Sequence, residues 1–474
     1  MTRREHWLAS WLAASPGRRA AFLACTAASL FLLVNWRNYH VDVLPLCLEP
    51  VSILRYGTLD LAVGFRETYD QLPDSQKFTF TRTEDGRLYP MKWLFVSLLV
   101  VPAYLPLVLA GLPTDNVALW IAWGRVCAAW MTGGSVALIY LGLRRCTREP
   151  DALVLTVLAA WGTCLWTIVG QGLYDHTGCV PCLAAIAWML QDRPFAPGRA
   201  FAVSFLAGLA VAMRPTSVIL LAPLGVYLFA FGDLPGWRSR LAGLAGVVVM
   251  PLALLACNRA LFGSGWASGY RPVEVASFHE PWWLGAIGQL VSPNSGLFVQ
   301  SPFLMLGLVG TWKAWTMPGH GLSRALSLSL VGYWLFYSRW HEWMGGLVFA
   351  SRFLCDGYPL GLLLVAEGWN EFRQRAWAWG ALLLAGLWSI AYQTVGVATF
   401  DVVSLHAPPH DPWMPTRHFY ALFVAERGLA ATLRALARTT CQLALALVLG
   451  VGIWGRLLLP LKIERETQSC HNFR

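Results

Sequence analysis

The chain has 474 residues, of which 56% are hydrophobic and 13% charged, with a mean hydropathy of +0.50. A soluble domain carries roughly twice that charged fraction, so the composition excludes a soluble globular protein and indicates a polytopic membrane protein. The net charge of +10 does not indicate a nucleic-acid partner, because the basic residues are scattered through short loops, as membrane topology requires.

Arg3, Arg4, Arg18 and Arg19 precede the first apolar run, near 20–36, and no small-residue cleavage site follows it. The run reads as an uncleaved first span that starts from a basic inside. Residues 37–92 then form the first long polar stretch, placed outside. The segment 91–112 is long enough to cross but is interrupted by Pro102 and Pro106. The next run, 117–143, ends at Arg144, Arg145 and Arg148, a cytoplasmic signature. The two observations agree if 91–112 is re-entrant or interfacial.

Further spans fall near 152–171, 176–191, 198–213, 216–232, 239–262, 296–316, 322–338, 354–369, 375–397 and 432–460. About twelve spans result, with both termini inside. The predicted inside loops hold Arg193, Arg199, Arg238, Arg240, Lys313, Arg324, Arg373 and Arg375. The whole chain, 1–474, reads as a single transmembrane domain. Its outer loops are 37–92, 263–295, 339–353 and 398–431, and they hold most of the acidic residues and histidines. No internal repeat stands out. The expected fold class is an all-α polytopic membrane protein with helical outer loops.

The outer loops carry the candidate chemistry. Asp42 follows the first span by about five residues, which keeps it at the membrane surface. It reads either as a general base for an acceptor hydroxyl or as an acid capping a helix over Leu44–Tyr56. Glu49, further along that helix, is the second candidate, and Asp60 and Asp70 read as turn or capping acids. Lys92 opens the apolar segment after Tyr89-Pro90-Met91, as a snorkelling cation or a phosphate ligand. Arg125, near the outer start of its span, carries the same two readings.

Tyr174-Asp175-His176 joins two apolar runs. A tight turn accounts for Asp175, whereas a His opening a span suggests a cavity lining. Both could join a carboxylate in a divalent-metal site, although nothing resembles H-E-x-x-H. Arg214-Pro215 is an outer turn or a phosphate contact.

The loop from 263 brings glycines with Trp266, Tyr270, Trp282 and Trp283, a surface suited to the apolar faces of sugars or to an interfacial aromatic belt. Arg271, His279 and Glu280 are its polar candidates. Trp340-His341-Glu342-Trp343-Met344-Gly345-Gly346 precedes Arg352, which opens a span and is placed to bind a phosphate through two donors. The eleven cysteines sit mostly in apolar runs. Cys179-Val-Pro-Cys182 lacks a second pair and reads as packing.

Taken in order, several stretches resemble bacterial membrane glycosyltransferases of the GT-C type, the dolichyl- or polyprenyl-phosphate-sugar-dependent mannosyltransferase-like group. They are Asp42, Gly57-Thr58-Leu59-Asp60, Asp85 to Lys92, Arg125, Tyr174-Asp175-His176, Ala212 to Thr216, Ser292-Pro293 through Ser301-Pro302, Trp340 to Gly346, Ser351 to Leu354 and Tyr358-Pro359. The resemblance implies inverting transfer from a polyprenyl-phosphate sugar on the outer face. Asp42 would be the general base, and Arg352, Lys92 and Arg214 would bind the lipid phosphate. The chain departs from the family in having no adjacent pair of acids in the first loop, and in Met91.

The residues implied in substrate binding are Asp175, His176, Tyr270, Trp340, His341 and Glu342. The partners are a polyprenyl-phosphate-linked sugar donor, a glycan, lipid or protein acceptor, and membrane lipid. A divalent metal remains open as a cofactor. Two rivals stand beside this reading. One is a polyprenyl-diphosphate glycan ligase or polymerase, which shares the topology. The other is a transporter or flippase, which requires charges in mid-span.

Overall fold

The computed structural model describes residues 11, 14–34, 42–92, 94–230, 234–270, 278–293, 295–345, 350–399 and 428–459. Arg271, Gly346 and residues 400–427 of the predicted last outer loop lie outside the described residues.

The first span is helix α1 (Pro16–Leu33). Ser15 caps it by accepting from Arg18 N at 3.4 Å, and Pro16 occupies the first turn, where no N–H is needed. The first outer loop then folds into α2 (Val43–Tyr56), closed by Gly57 at φ +65°, and α3 (Ala62–Gln71). Next come two short antiparallel strands, β1 (Phe80–Arg82) and β2 (Leu88–Pro90), with Phe80 opposite Pro90. This hairpin departs from the expected wholly helical loops. It forms because Glu84-Asp85-Gly86 makes the tight turn, with Gly86 at φ +82°. Asp60 secures it by accepting from Ala62 N at 2.9 Å and Leu88 N at 2.8 Å, so it is a turn acid as expected.

The Pro-bearing segment forms α4 (Phe95–Leu109). Its 15 residues span about 22 Å, short of the roughly 30 Å of a bilayer core, as a re-entrant or interfacial element should be. Then follow α5 (Val117–Cys146), α6 (Glu149–Trp161) with a π-helical turn over Leu165–Val169, α7 (Asp175–Met189), α8 (Pro197–Met213), α9 (Ser217–Ala230) and α10 (Gly236–Phe262). The second half holds α11 (Trp282–Val291), α12 (Leu306–Thr316), α13 (Gly321–Ser338), α14 (Tyr358–Phe372), α15 (Ala376–Thr399) and α16 (Gly428–Leu458). Helix lies along every predicted span. Four helices are long and apolar enough to cross a membrane on length and composition alone: Val117–Cys146, Gly236–Phe262, Ala376–Ala398 and Ala437–Leu458.

Lipid does not press membrane helices together as water does, so pairing relies on close packing at small residues. Gly208 of α8 and Gly246 of α10 show this. A Cβ on Gly208 would stand 2.7 Å from Val247 O, and one on Gly246 would stand 2.5 Å from Phe201 O. Helix α1 lies on α5 in the same way, with Gly133 against Ala24 and Ala28. Arg125 of α5 donates to the carbonyls of Phe31 and Val34, at 3.1 and 2.8 Å. It thereby satisfies orphan acceptors at the C-terminus of α1, a task the sequence reading did not assign to it. The largest core joins α2, α4 and α7 to α14 through buried residues such as Trp120, Phe303, Tyr333 and Trp369.

Candidate active site

Of the eight acids between 37 and 92, Asp42 and Glu49 are buried, whereas Glu67, Asp70, Asp74, Glu84 and Asp85 are exposed. Asp42 stands at the N-terminus of α2 but makes no side-chain capping bond. The capping alternative is therefore not realised. Its carboxylate instead receives Arg352 Nη2 at 2.7 Å, with Lys92 Nζ 3.8 Å away. Asp42 is 4% exposed and Arg352 5%, so the contact is a buried ion pair between residues far apart in the chain.

Each partner is held by its own element. Arg352 begins a 3₁₀ turn, Arg352–Gly357, that leads into α14. The chain enters this turn through Ala350 at φ +75°, a left-handed conformation that costs a non-glycine residue about 1–3 kcal/mol. Ser351 fixes the entrance: its N–H donates to Gln300 Oε1 at 3.2 Å, and its hydroxyl meets Tyr358 Oη at 3.1 Å. The guanidinium lies over the Tyr174 ring at 5.3 Å, and its Nε is buried without a hydrogen-bond partner. Lys92 follows β2 directly. It donates to Tyr270 Oη at 3.0 Å and lies 5.2 Å from that ring's centre. Burial alone would lower the Lys92 pKa, but the Tyr270 phenol and the Asp42 and Asp175 carboxylates outweigh it and hold the ammonium above its usual range.

A second buried cluster lies beside the first, centred on Arg214. Its Nη1 meets Asp175 Oδ2 at 3.3 Å and His176 Nε2 at 2.6 Å. Its Nη2 donates to Tyr337 Oη at 2.6 Å, and its Nε lies 3.1 Å from Asp356 Oδ2 and 3.2 Å from Thr216 Oγ1. His176 Nδ1 is 2.9 Å from Asp356 Oδ1 and 3.2 Å from Cys355 Sγ, and Tyr333 Oη donates to Asp356 Oδ2 at 2.8 Å. With Nδ1–H turned to Asp356, His176 is left to accept from Arg214 through Nε2. Every edge of the Arg214 guanidinium thus faces a protein acceptor, and the phosphate role expected of it does not match this arrangement. Asp175 joins the clusters, since its carboxylate acts electrostatically on Arg214, Lys92 and Arg352 together.

His176, Cys355 and Asp356 have donor atoms within 4.8 Å of one another. These donors do not fit a divalent metal here. Arg214 already contacts the imidazole and the Asp356 carboxylate and supplies the positive charge that a cation would bring.

Trp340, His341 and Glu342 form the turn after α13. Trp340 packs edge-on to Phe278 with centroids 4.8 Å apart, and His341 stacks on His279 at 6.4 Å. Trp343 lies against Gly288, and its carbonyl accepts from Gln289 at 3.4 Å, so the turn is anchored to α11. Among the described residues, its contacts run to α11 and the residues just before it rather than to Asp42 or Arg352.

The reading of the sequence passed over Asp356, Tyr333 and Tyr337. For Asp356 a signal existed. It falls inside the predicted span 354–369, and an acid at that depth requires a partner.

No family model matches the chain, and no curated protein matches it. Among solved structures, it is similar to the crystal structure of ArnT from Cupriavidus metallidurans bound to undecaprenyl phosphate, with 13% identity and a TM-score of 0.46. The match covers 94% of this chain and 78% of that one.

Proposed function

We propose that this chain is an integral membrane glycosyltransferase. It transfers a sugar from a polyprenyl-phosphate donor to an acceptor hydroxyl on the extracytoplasmic face. The observation that carries this reading is the buried Asp42–Arg352 pair, 2.7 Å long, with Lys92 beside it.

A polyprenyl phosphate leaves well once its charge is matched, so the reaction needs cations at membrane depth and a base for the acceptor. Arg352 has a spare donor in Nε, and Lys92 brings a compact positive charge. A phosphate drawn to both cations competes with the Asp42 carboxylate for them. Asp42 is then released to accept the proton of the acceptor hydroxyl. The acceptor oxygen bonds to the anomeric carbon as the bond from that carbon to the phosphate oxygen breaks. The electron pair stays on the phosphate, where Arg352 and Lys92 offset the new charge. Attack from the face opposite the leaving group inverts the anomeric centre.

In this scheme Arg214, Asp175, His176 and Asp356 form the buried support that holds α7, α8 and α13 around the site. Tyr270 steadies Lys92. The test is transfer by the purified full-length protein from sugars carried on polyprenyl monophosphate and on polyprenyl diphosphate. Transfer from the monophosphate donor, abolished by Asp42→Asn, supports the reading. Transfer from the diphosphate donor alone replaces it with the glycan ligase reading.

A further inference from the structure

Glu49 is 1% exposed, and its Oε2 is buried without a hydrogen-bond partner. A carboxyl in that position is costly unless a substrate group completes it. It faces a narrow cleft between α2, the Tyr89–Lys92 segment and the last turns of α10, where Asn258 and Phe262 form the opposite wall. Gly269 closes one side by direct backbone contact, since a Cβ there would stand 2.6 Å from Met91 O. Helix α10 turns a largely apolar face outward, with Leu241, Leu244, Val248 and Leu252 exposed. The cleft therefore lies between a lipid-facing helix and the Lys92 cation.

The titratable groups facing Glu49 across the cleft are Lys92 and Tyr89 after the hairpin and Cys257 on α10. On the α4 side the Ser97 hydroxyl lies next to it and donates to Leu46 O at 3.2 Å. On α2 itself, Cys47 is directed to Tyr104 and Gly124 instead. Burial raises the Glu49 pKa to about 8, with only the Ser97 hydroxyl opposing it. At neutral pH the side chain therefore keeps its proton.

We propose that this cleft receives the anionic headgroup of the lipid substrate, with the Glu49 carboxylic acid donating a hydrogen bond to a phosphate oxygen beside the Lys92 cation. The inference rests on the lipid-phosphate reading above and adds a ligand to it. A neutral acid can donate to an anion, whereas an ionised one repels it, so Glu49 makes headgroup binding sensitive to pH. Lys92 belongs both to this cleft and to the Asp42 site, so a headgroup held here lies next to the base.

The experiment uses the full-length protein in lipid nanodiscs with undecaprenyl phosphate as the probe. Binding is titrated between about pH 6.5 and about pH 9.5, above the second phosphate pKa of about 6. Wild-type affinity is expected to fall at least about tenfold as pH rises through about 8, the range of a hydrogen bond to a charged group. Glu49→Gln keeps a donor but cannot ionise, so its affinity should stay near the wild-type neutral-pH value throughout. Glu49→Leu should bind at least about tenfold more weakly at neutral pH. If wild type binds and Glu49→Gln shows the same fall, or Glu49→Leu binds like wild type, the Glu49 inference is overturned while the lipid-phosphate reading stands. Absence of wild-type binding at every pH overturns both. Carbodiimide labelling of Glu49, mapped by peptide mass spectrometry, adds a readout that needs no substrate. Labelling at neutral pH that undecaprenyl phosphate suppresses supports the cleft assignment, and labelling the lipid leaves unchanged contradicts it.

Discussion

Arg352 Nη2 reaches Asp42 Oδ2 at 2.7 Å, across 310 residues of sequence, with both side chains buried. The pair ties the first outer loop to the entrance of α14, so neither segment can form the site alone.

Asp42→Asn is expected to lower transfer by about 10²–10⁴-fold, the usual weight of a general base. The amide still accepts from Arg352, so yield and size-exclusion profile should stay near wild type. Transfer within about threefold of wild type would rule Asp42 out as the base.

Arg352→Lys keeps the charge but loses the forked donors and the planar contact with Tyr174. Donor binding is expected to weaken by about 1.5–3 kcal/mol, read as a higher KM for the lipid donor or a weaker Kd for the bare lipid phosphate. An unchanged KM would remove Arg352 from the phosphate site.

Arg214→Met should act on folding as well as turnover. It leaves Asp175 and Asp356 buried without their cation, a loss of about 3–5 kcal/mol. The measurement is the thermal midpoint in detergent. A stable Arg214→Met protein that fails only in donor binding would return Arg214 to the phosphate role.

Ala350 sits at φ +75°, a conformation that glycine adopts without strain. Ala350→Gly should raise stability by about 1 kcal/mol or leave it unchanged, whereas Ala350→Val should lower it by more than about 1 kcal/mol. Thermal unfolding of the two variants checks the order.

Glu49 predicts a pH dependence of stability. Its folded pKa, about 8, lies above the ordinary 4.5, so the unfolded chain releases this proton first as pH rises. The contribution is fully present below about pH 4.5, declines from there and is lost by about pH 8. Glu49→Gln should flatten this slope. Parallel curves for the two proteins between about pH 5 and about pH 9 would refute it.

Much of the architecture was legible because apolar length and Lys/Arg placement answer to the bilayer, a solvent that acts on each segment locally. The twelve runs, the short Pro-bearing α4 and the two buried acids at the start of the first loop follow from that. The hairpin after α3 was missed, since its strands have three residues each and depend on Asp60 and the Gly86 turn for support.

The site divides along the same line. Local sequence determined that Asp42, Lys92, Arg214 and Arg352 lie at span ends, where a charge must find water or a partner. Only the tertiary structure decided which partner each one found. Two arginines with similar settings in sequence separated into different roles: Arg352 keeps an unpaired Nε beside Asp42, while Arg214 is enclosed by Asp175, His176, Asp356 and Tyr337. Both outcomes rest on contacts between helices distant in sequence, which neither periodicity nor topology encodes.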